Sequence, residues 1–369
     1  MATYDVPRIK HAGLREIKCG PYTLLRYTKP LQDESLAKYR SVVYKGDKLV
    51  AFSPPRSTSF TDFEKECPCP DNAVVREFVD GMMIYLWYAD EHWHTSTRSS
   101  VDADKVYRRG SEPVALLQET TKYTEPPTPK DLFQLYVEKL PFDLYSALDK
   151  ENTYTFSLLH PTSFNVVKPS GLECYLTNVY KIQEGNQFQS LDIGSIDLAI
   201  KQPTVQLFER YTDVQDHMAQ KDYTVKGFMV YNPATDRRLK ILNPNFLKVH
   251  CLLSSKPNFN EIILDSILVR KNSNEIAILH EDYPKHLEAL ERNILRCANI
   301  LYSYYLECFV KKLKAHKDFP VLYRSHMYEL HKMYLQSFRT LGFRMNKSVV
   351  LDYIRNVPVS LLCPLLGVH

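Results

Sequence analysis

The chain has 369 residues, 44% hydrophobic and 24% charged, with a net charge of +4. That length buries one large core or two smaller ones, and the composition excludes long disorder. No apolar run approaches the ~18 residues of a spanning helix, which excludes a membrane-embedded protein of that kind. The polar start, Met1-Ala2-Thr3-Tyr4-Asp5, does not read as a secretory signal, so the eight cysteines are expected reduced and the chain cytoplasmic.

The first ~130 residues read mostly as strands. Ser41–Tyr44 and Leu49–Phe52 flank Lys45-Gly46-Asp47-Lys48, a hairpin pattern. Val74–Val79 leads through Asp80-Gly81 into Met82–Tyr88, and Trp93–Thr97 continues what reads as a meander. Cys67-Pro-Cys69 and His92-Trp93-His94 suggest a zinc site, but the Cys spacing is too tight and no second Cys pair follows. Lys122–Pro129 is expected as a loop and Asp131–Ala147 as a helix. Strands resume over Thr153–Val167 and Cys174–Ile182. Val205–Gln220 reads as a short helix, and Lys226–Val249 as a hairpin turning at Asn232-Pro233.

From about Tyr283 the period changes. Leu287, Leu290, Ile294, Leu295, Ala298, Leu301 and Tyr302 recur at helical spacing, continuing through Phe309 and Leu313. Asp318-Phe319-Pro320 breaks the pattern. A second helix is expected over Val321–Leu341 and a third over Asn346–Ile354. Residues 285–369 carry 13 Lys and Arg against 6 Asp and Glu, a balance of +7, which leaves −3 for the rest. A basic C-terminal portion suits an anionic partner, RNA or DNA, or equally a solvated helix face. The 25 tyrosines are read as core and surface residues in preference to base-stacking platforms. No histidine pair has ligand spacing; His326 and His331 are five apart.

The order of several short motifs resembles the bacteriophage-type RNA ligase branch of the covalent nucleotidyltransferases, over roughly residues 35–280. Divergent ligase-like proteins of large DNA viruses are the nearest in pattern. Tyr39–Tyr44 resembles the family's Arg-Gly-hydrophobic strand, which implies that Arg40 lies near nucleotide phosphates. Phe52–Ser57 resembles a Pro-Pro-Lys-Ser stretch, with Arg56 in the basic position. Phe78-Val79-Asp80-Gly81 resembles the nucleophile motif Lys-x-Asp-Gly. Trp93–Ser99 resembles a Trp-x-x-x-Thr-Arg-Ser stretch containing Arg98. Tyr154–Pro161 and Val225–Val230 resemble motifs that carry a Glu in the family; here those positions hold Ser157 and Lys226. Leu239–Phe246 resembles a Lys-x-Lys motif, with Lys240 kept and Leu242 in place of the second lysine.

The resemblance implies an α+β fold: an antiparallel-rich nucleotidyltransferase (adenylation) domain over 1–280 and a basic helical domain over 281–369. It also sets the chemistry in question. A lysine amine attacks an α-phosphate; the phenyl ring of Phe78 does not. Lys226 reverses the charge where the family's Glu helps hold a divalent ion. The expectation is therefore a catalytically inactive ligase-like protein, with no cofactor, whose Arg40, Arg56, Arg98, Lys226 and Lys240 form an anion-binding surface while Asp80 and Gly81 are retained. It would bind nucleic acid, or serve as a structural or assembly component, in host cytoplasm or a viral particle if viral, beside other viral structural proteins. The alternatives are an active ATP- and Mg-dependent RNA ligase with a relocated nucleophile at Lys226 or Lys240, and a protein–protein module in which Phe78 and Leu242 plug the old pocket.

Overall fold

The computed structural model describes residues 3–105, 127–161, 166, 169–254, 261, 263, 264, 267, 268, 283–339 and 341–367. They fall into two compact units that divide between Lys248 and Val249. The expected boundary at residue 280 lies outside the described residues.

The first unit contains three antiparallel sheets. The largest has six strands: β1 (Thr3–Asp5), β7 (Met82–Ala89), β8 (His92–Thr97), β9 (Asn152–Leu159), β10 (Glu173–Gln183) and β11 (Gln187–Leu191). Their order is β1-β11-β10-β9-β7-β8. A second sheet is a plain meander of β2 (Leu14–Cys19), β3 (Tyr22–Tyr27), β4 (Val42–Lys45) and β5 (Lys48–Phe52). The third joins β6 (Val74–Glu77), β12 (Val205–Gln206), β13 (Gly227–Tyr231) and β14 (Arg238–Leu242) in the order β12-β6-β13-β14.

Short loops between runs buried on both faces account for most of these strands, as in Tyr22–Tyr27, Asn152–Leu159 and Gly227–Tyr231. The β4–β5 hairpin turns at Gly46, whose φ of +59° costs a residue without Cβ little. Four apolar clusters are found among the described residues, one of them joining Leu24 and Val43 of the second sheet to Tyr85 and Trp87 of the first. Ile84, Leu86, Phe156 and Leu158 of the large sheet bury against Phe133 and Leu144 of the helices α2 (Pro129–Glu138) and α3 (Leu144–Ala147). Leu25, Tyr44 and Phe52 meet Tyr180 and Phe188, with the Phe52 and Phe188 rings stacked at 3.8 Å. Phe63 of α1 (Phe60–Glu66) and Val214 of α4 (Tyr211–Ala219) cover Phe228, Val230 and Leu239 of the third sheet. Tyr22, Tyr27, Tyr39, Tyr44, Tyr85, Tyr154, Tyr180 and Tyr211 are all buried here, as core residues.

Several expected elements are corrected. β6 and β7 do not pair across Asp80-Gly81; they belong to different sheets, so Asp80-Gly81 is a crossover and not a hairpin turn. The helix expected over Asp131–Ala147 is broken after Glu138, ahead of Pro141, whose ring and missing N–H end it. Val205–Gln206 is an edge strand and the helix begins only at Tyr211. β14 ends at Leu242, and Pro244 opens a helix, α5 (Pro244–Ser254), where a strand was expected to continue. The Leu14–Tyr27 hairpin has no counterpart among the sequence expectations, and part of the Lys122–Pro129 loop lies outside the described residues.

The second unit is helical among its described residues. Its longest helix is Tyr283–Tyr305, which buries Leu290, Ile294, Ala298 and Leu301. It packs against Val321–Met333, Lys347–Asn356 and Val359–Leu366. Leu306–Val310 and Tyr334–Phe338 extend two of these helices as π-helical turns. Pro320 starts the second helix, as the sequence break implies, and the Asn346 side chain caps the third by accepting from the Val349 N–H at 3.0 Å. The helix Val359–Leu366 was not expected. Lys311, Lys312, Lys317, Arg339, Arg344, Lys347 and Arg355 are exposed on this unit. No helix of the described residues is long and apolar enough to cross a membrane.

Candidate anion-binding cleft

The cleft is assembled where the crossover Phe78–Gly81 passes the end of β13. The Phe78 N–H donates to the Gly227 carbonyl at 2.9 Å, which sets Phe78 beside Lys226, the residue before that strand. Gly227 is required on two counts. Its φ is +144°, and a Cβ would lie 2.2 Å from the Ile241 carbonyl oxygen of β14. Gly81 is required by close approach alone, since a Cβ would meet Ser157 Oγ at 2.4 Å and the Leu158 carbonyl at 2.9 Å. The Asp-Gly pair thus serves packing between the crossover and β9.

Phe78 faces two lysines. Lys226 Nζ stands 4.2 Å from its ring centroid and Lys240 Nζ 5.1 Å. Both fall within the range at which a ring face attracts an ammonium. Lys226 is half-buried and its charge is spoken for: Nζ donates to Asp80 Oδ1 at 2.9 Å. The other Asp80 oxygen accepts the Val166 N–H at 3.0 Å. Leu242 pairs with Gly227 across β13–β14 and is only partly buried.

Lys240 differs. It has solvent access, yet lost hydration in the crowded cleft, then Arg40, Arg238, Lys226 and Lys29, push its amine down to about 7. Because the residue stays open to solvent, the surrounding cations are the firmer physical reason for that direction. Arg40 is partly buried. Burial first, then Arg238 and Arg98, push its guanidinium down to about 10. Arg238 is buried, gives an N–H to the Pro54 carbonyl at 3.4 Å, and leaves Nε without an acceptor among the described residues.

Of the five cations expected from sequence, Lys226 and Lys240 meet at the Phe78 ring, and Arg40 lies near enough to bear on Lys240. Arg56 does not join them: it is exposed and donates to Glu34 at 2.9 Å. Arg98 lies over the Tyr27 ring at 5.0 Å, close enough to Arg40 to influence it, but lines a separate cavity. Sequence reading missed Arg238. Its position two residues before Lys240 on one strand was a usable signal, because such residues share a face.

The donors do not fit a divalent cation. Asp80 is committed to Lys226 and the Val166 N–H, and Ser157 supplies no charge. Among the described residues, no group of three His, Cys, Asp or Glu side chains could hold a metal ion. Cys67 is buried with its thiol on the Cys69 carbonyl, and His94 stacks on Trp87 at 4.2 Å. The residues do fit an anion: Arg40, Arg238 and Lys240 form no ion pair among the described residues, although the buried Asp236 lies near enough to Arg238 to feel its charge.

No protein-family model matches the sequence, and no curated protein does either. Among solved structures, the chain is similar to ATP-dependent RNA ligases. One is a mutant RNA ligase from Naegleria gruberi with ATP and Mn, at 13% identity over 54% of this chain and 58% of that one, with a TM-score of 0.38. Another is an archaeal ATP-dependent RNA ligase, at 12% identity over 75% of this chain and 72% of that one, with a TM-score of 0.39. The chain thus spans less than two thirds of the first ligase's length.

Proposed function

We propose that this chain is a ligase-like protein that binds nucleic acid non-covalently and does not form a lysyl–nucleotide bond at the expected position. The observation that carries the reading is Phe78, with two lysine ammoniums on its ring where a nucleophilic amine is expected. The phosphates of a strand or nucleotide would meet Arg40, Arg238 and Lys240. Phosphodiester oxygens match guanidinium N–H groups in pairs, and the exposed lysines and arginines of the helical unit add sequence-independent attraction. A structural or assembly role in a viral particle is compatible with such a binder.

A second reading is favoured by one specific feature. An amine pushed down to about 7 is partly neutral at physiological pH, and Lys240 meets solvent. A neutral lysine is what attack on an α-phosphate requires, so Lys240 is the candidate for a relocated nucleophile.

Incubation with α-³²P-labelled ATP and GTP, with Mg²⁺ or Mn²⁺, separates the two. No label after denaturation, beside an active control ligase, together with salt-dependent RNA binding, is the expected result. A labelled band lost in Lys240→Ala would overturn it in favour of the relocated nucleophile.

A further inference from the structure

Beside the Phe78 cleft, the β2–β3 hairpin and the end of β8 border a half-open cavity of about 290 Å³. Its lining is Arg15, Arg26, Tyr27, Thr28, Lys29 and Arg98: four cations and no acid. Elsewhere in the same unit Arg8, Arg56, Arg76, Arg210 and Arg237 each reach a carboxylate, Asp47, Glu34, Asp192, Asp213 and Glu66 respectively, while Arg40 and Arg238 of the cleft form no ion pair among the described residues. The cavity cations reach none among the described residues.

The like charges are also placed against one another. Arg15 lies directly opposite Arg26 in the β2–β3 register, an arrangement that costs stability when nothing intervenes. Arg26 Nε, Arg98 Nε and one terminal Arg98 nitrogen are buried without an acceptor among the described residues. Such groups forgo hydration that a ligand oxygen would replace. The Tyr27 ring under the Arg98 guanidinium holds its plane in place. The field is strong enough to be felt by its members: Arg98 first, then lost hydration and Arg40, lower the Lys29 amine, and burial, then Arg98 and Arg15, lower Arg26.

We infer that this cavity is a second anion site, built for a phosphate group and lined by residues other than those at the Phe78 ring. Guanidinium forks from two sides match the oxygens of a phosphate ester, with Lys29 as a mobile point charge. Opposed cations that repel in the empty site become a clamp once a dianion sits between them. The proposal does not depend on whether the cleft binds nucleic acid or reacts with a nucleotide.

The phosphate has two sources: the end of a strand, or a free polyphosphate such as a nucleotide tail. Calorimetric titrations with inorganic tripolyphosphate, and with a single-stranded RNA carrying a 5′-phosphate or a 5′-hydroxyl, test the site and tell them apart. The expected result is tripolyphosphate binding that falls at least tenfold in Arg26→Gln/Arg98→Gln. A preference for the 5′-phosphorylated strand that vanishes in the same variant assigns the site to strand ends; no preference, with tripolyphosphate binding still lost, assigns it to free polyphosphate. Arg15→Thr, on an exposed strand position, keeps the test available if the double variant does not fold, and is expected to weaken binding severalfold. Wild-type protein that binds neither tripolyphosphate nor the 5′-phosphate, or variants that bind within twofold of wild type, would overturn the inference.

Discussion

At the Phe78 cleft, Lys226 meets Asp80 at 2.9 Å and Asp80 is further satisfied by the Val166 N–H. Across the β2–β3 hairpin, Arg15 faces Arg26, and the cavity beside them adds Lys29 and Arg98 but no acid. Both regions are basic and both belong to one unit, but in the first one cation, Lys226, has its carboxylate, and in the second none does. Compensation tells what a charge is for. A cation that has its carboxylate stabilises the apoprotein and has little left for a ligand, whereas one without a partner costs stability and gives it back on binding. Lys240 belongs with the second kind although it stands beside Lys226.

The comparison breaks most sharply at Asp80. Asp80→Ala leaves a half-buried Lys226 and the Val166 N–H without their acceptor and is expected to destabilise by about 2 kcal/mol in urea denaturation. Asp80→Asn, which keeps one acceptor, should cost less. A loss below a few tenths would mean that the pair is not structural.

Lys240 gives the next largest effect, read as pH dependence. Its amine is lowered from the ordinary lysine range to about 7, so it is charged below pH 7 and neutral above. RNA affinity should therefore fall as pH rises through about 7, and Lys240→Arg, charged throughout, should remove that step. The sign for stability is the reverse. The unfolded chain holds the proton to higher pH, so the penalty of this crowded ammonium is full below about 7 and lifts as pH rises towards the usual lysine value. An unchanged pH profile in Lys240→Arg would remove Lys240 from the anion site.

Arg15→Thr tests the uncompensated side and has the opposite sign to Asp80→Ala. Relief of the cross-strand repulsion should stabilise the protein by about 0.2–1 kcal/mol at low salt, with the gain shrinking as salt screens the wild-type repulsion. A loss of stability would mean that Arg15 packs more than it repels. The smallest effect belongs to Arg56→Ala. Its pair with Glu34 is exposed, so thermal unfolding should move by no more than about 0.5 kcal/mol equivalent, and anion affinity should hardly change.

The strand-rich first part, the helical last part, the β4–β5 and β7–β8 hairpins and the break at Pro320 were legible because period, turn residues and proline act over a few residues. The order of short motifs also singled out Lys226 and Lys240, which meet at the Phe78 ring, and Arg56, which is paired with Glu34. Local pattern could not show that β6 and β7 part into different sheets at Asp80-Gly81. Hairpin turns and crossovers share Asp and Gly, and only the register with β13 and β9 tells them apart. Nor could it show the cavity. Arg15, Arg26, Lys29 and Arg98 come from three places in the chain, and single arginines look alike until one sees which have a carboxylate within reach. The sequence by itself determined the apolar strand runs, the helical stripe and the absence of a lysine at Phe78, because each is carried by neighbouring residues. Tertiary structure alone decided which cations are neutralised and which are left to meet a ligand, because ion pairing is a matter of a few ångströms between residues far apart in the chain.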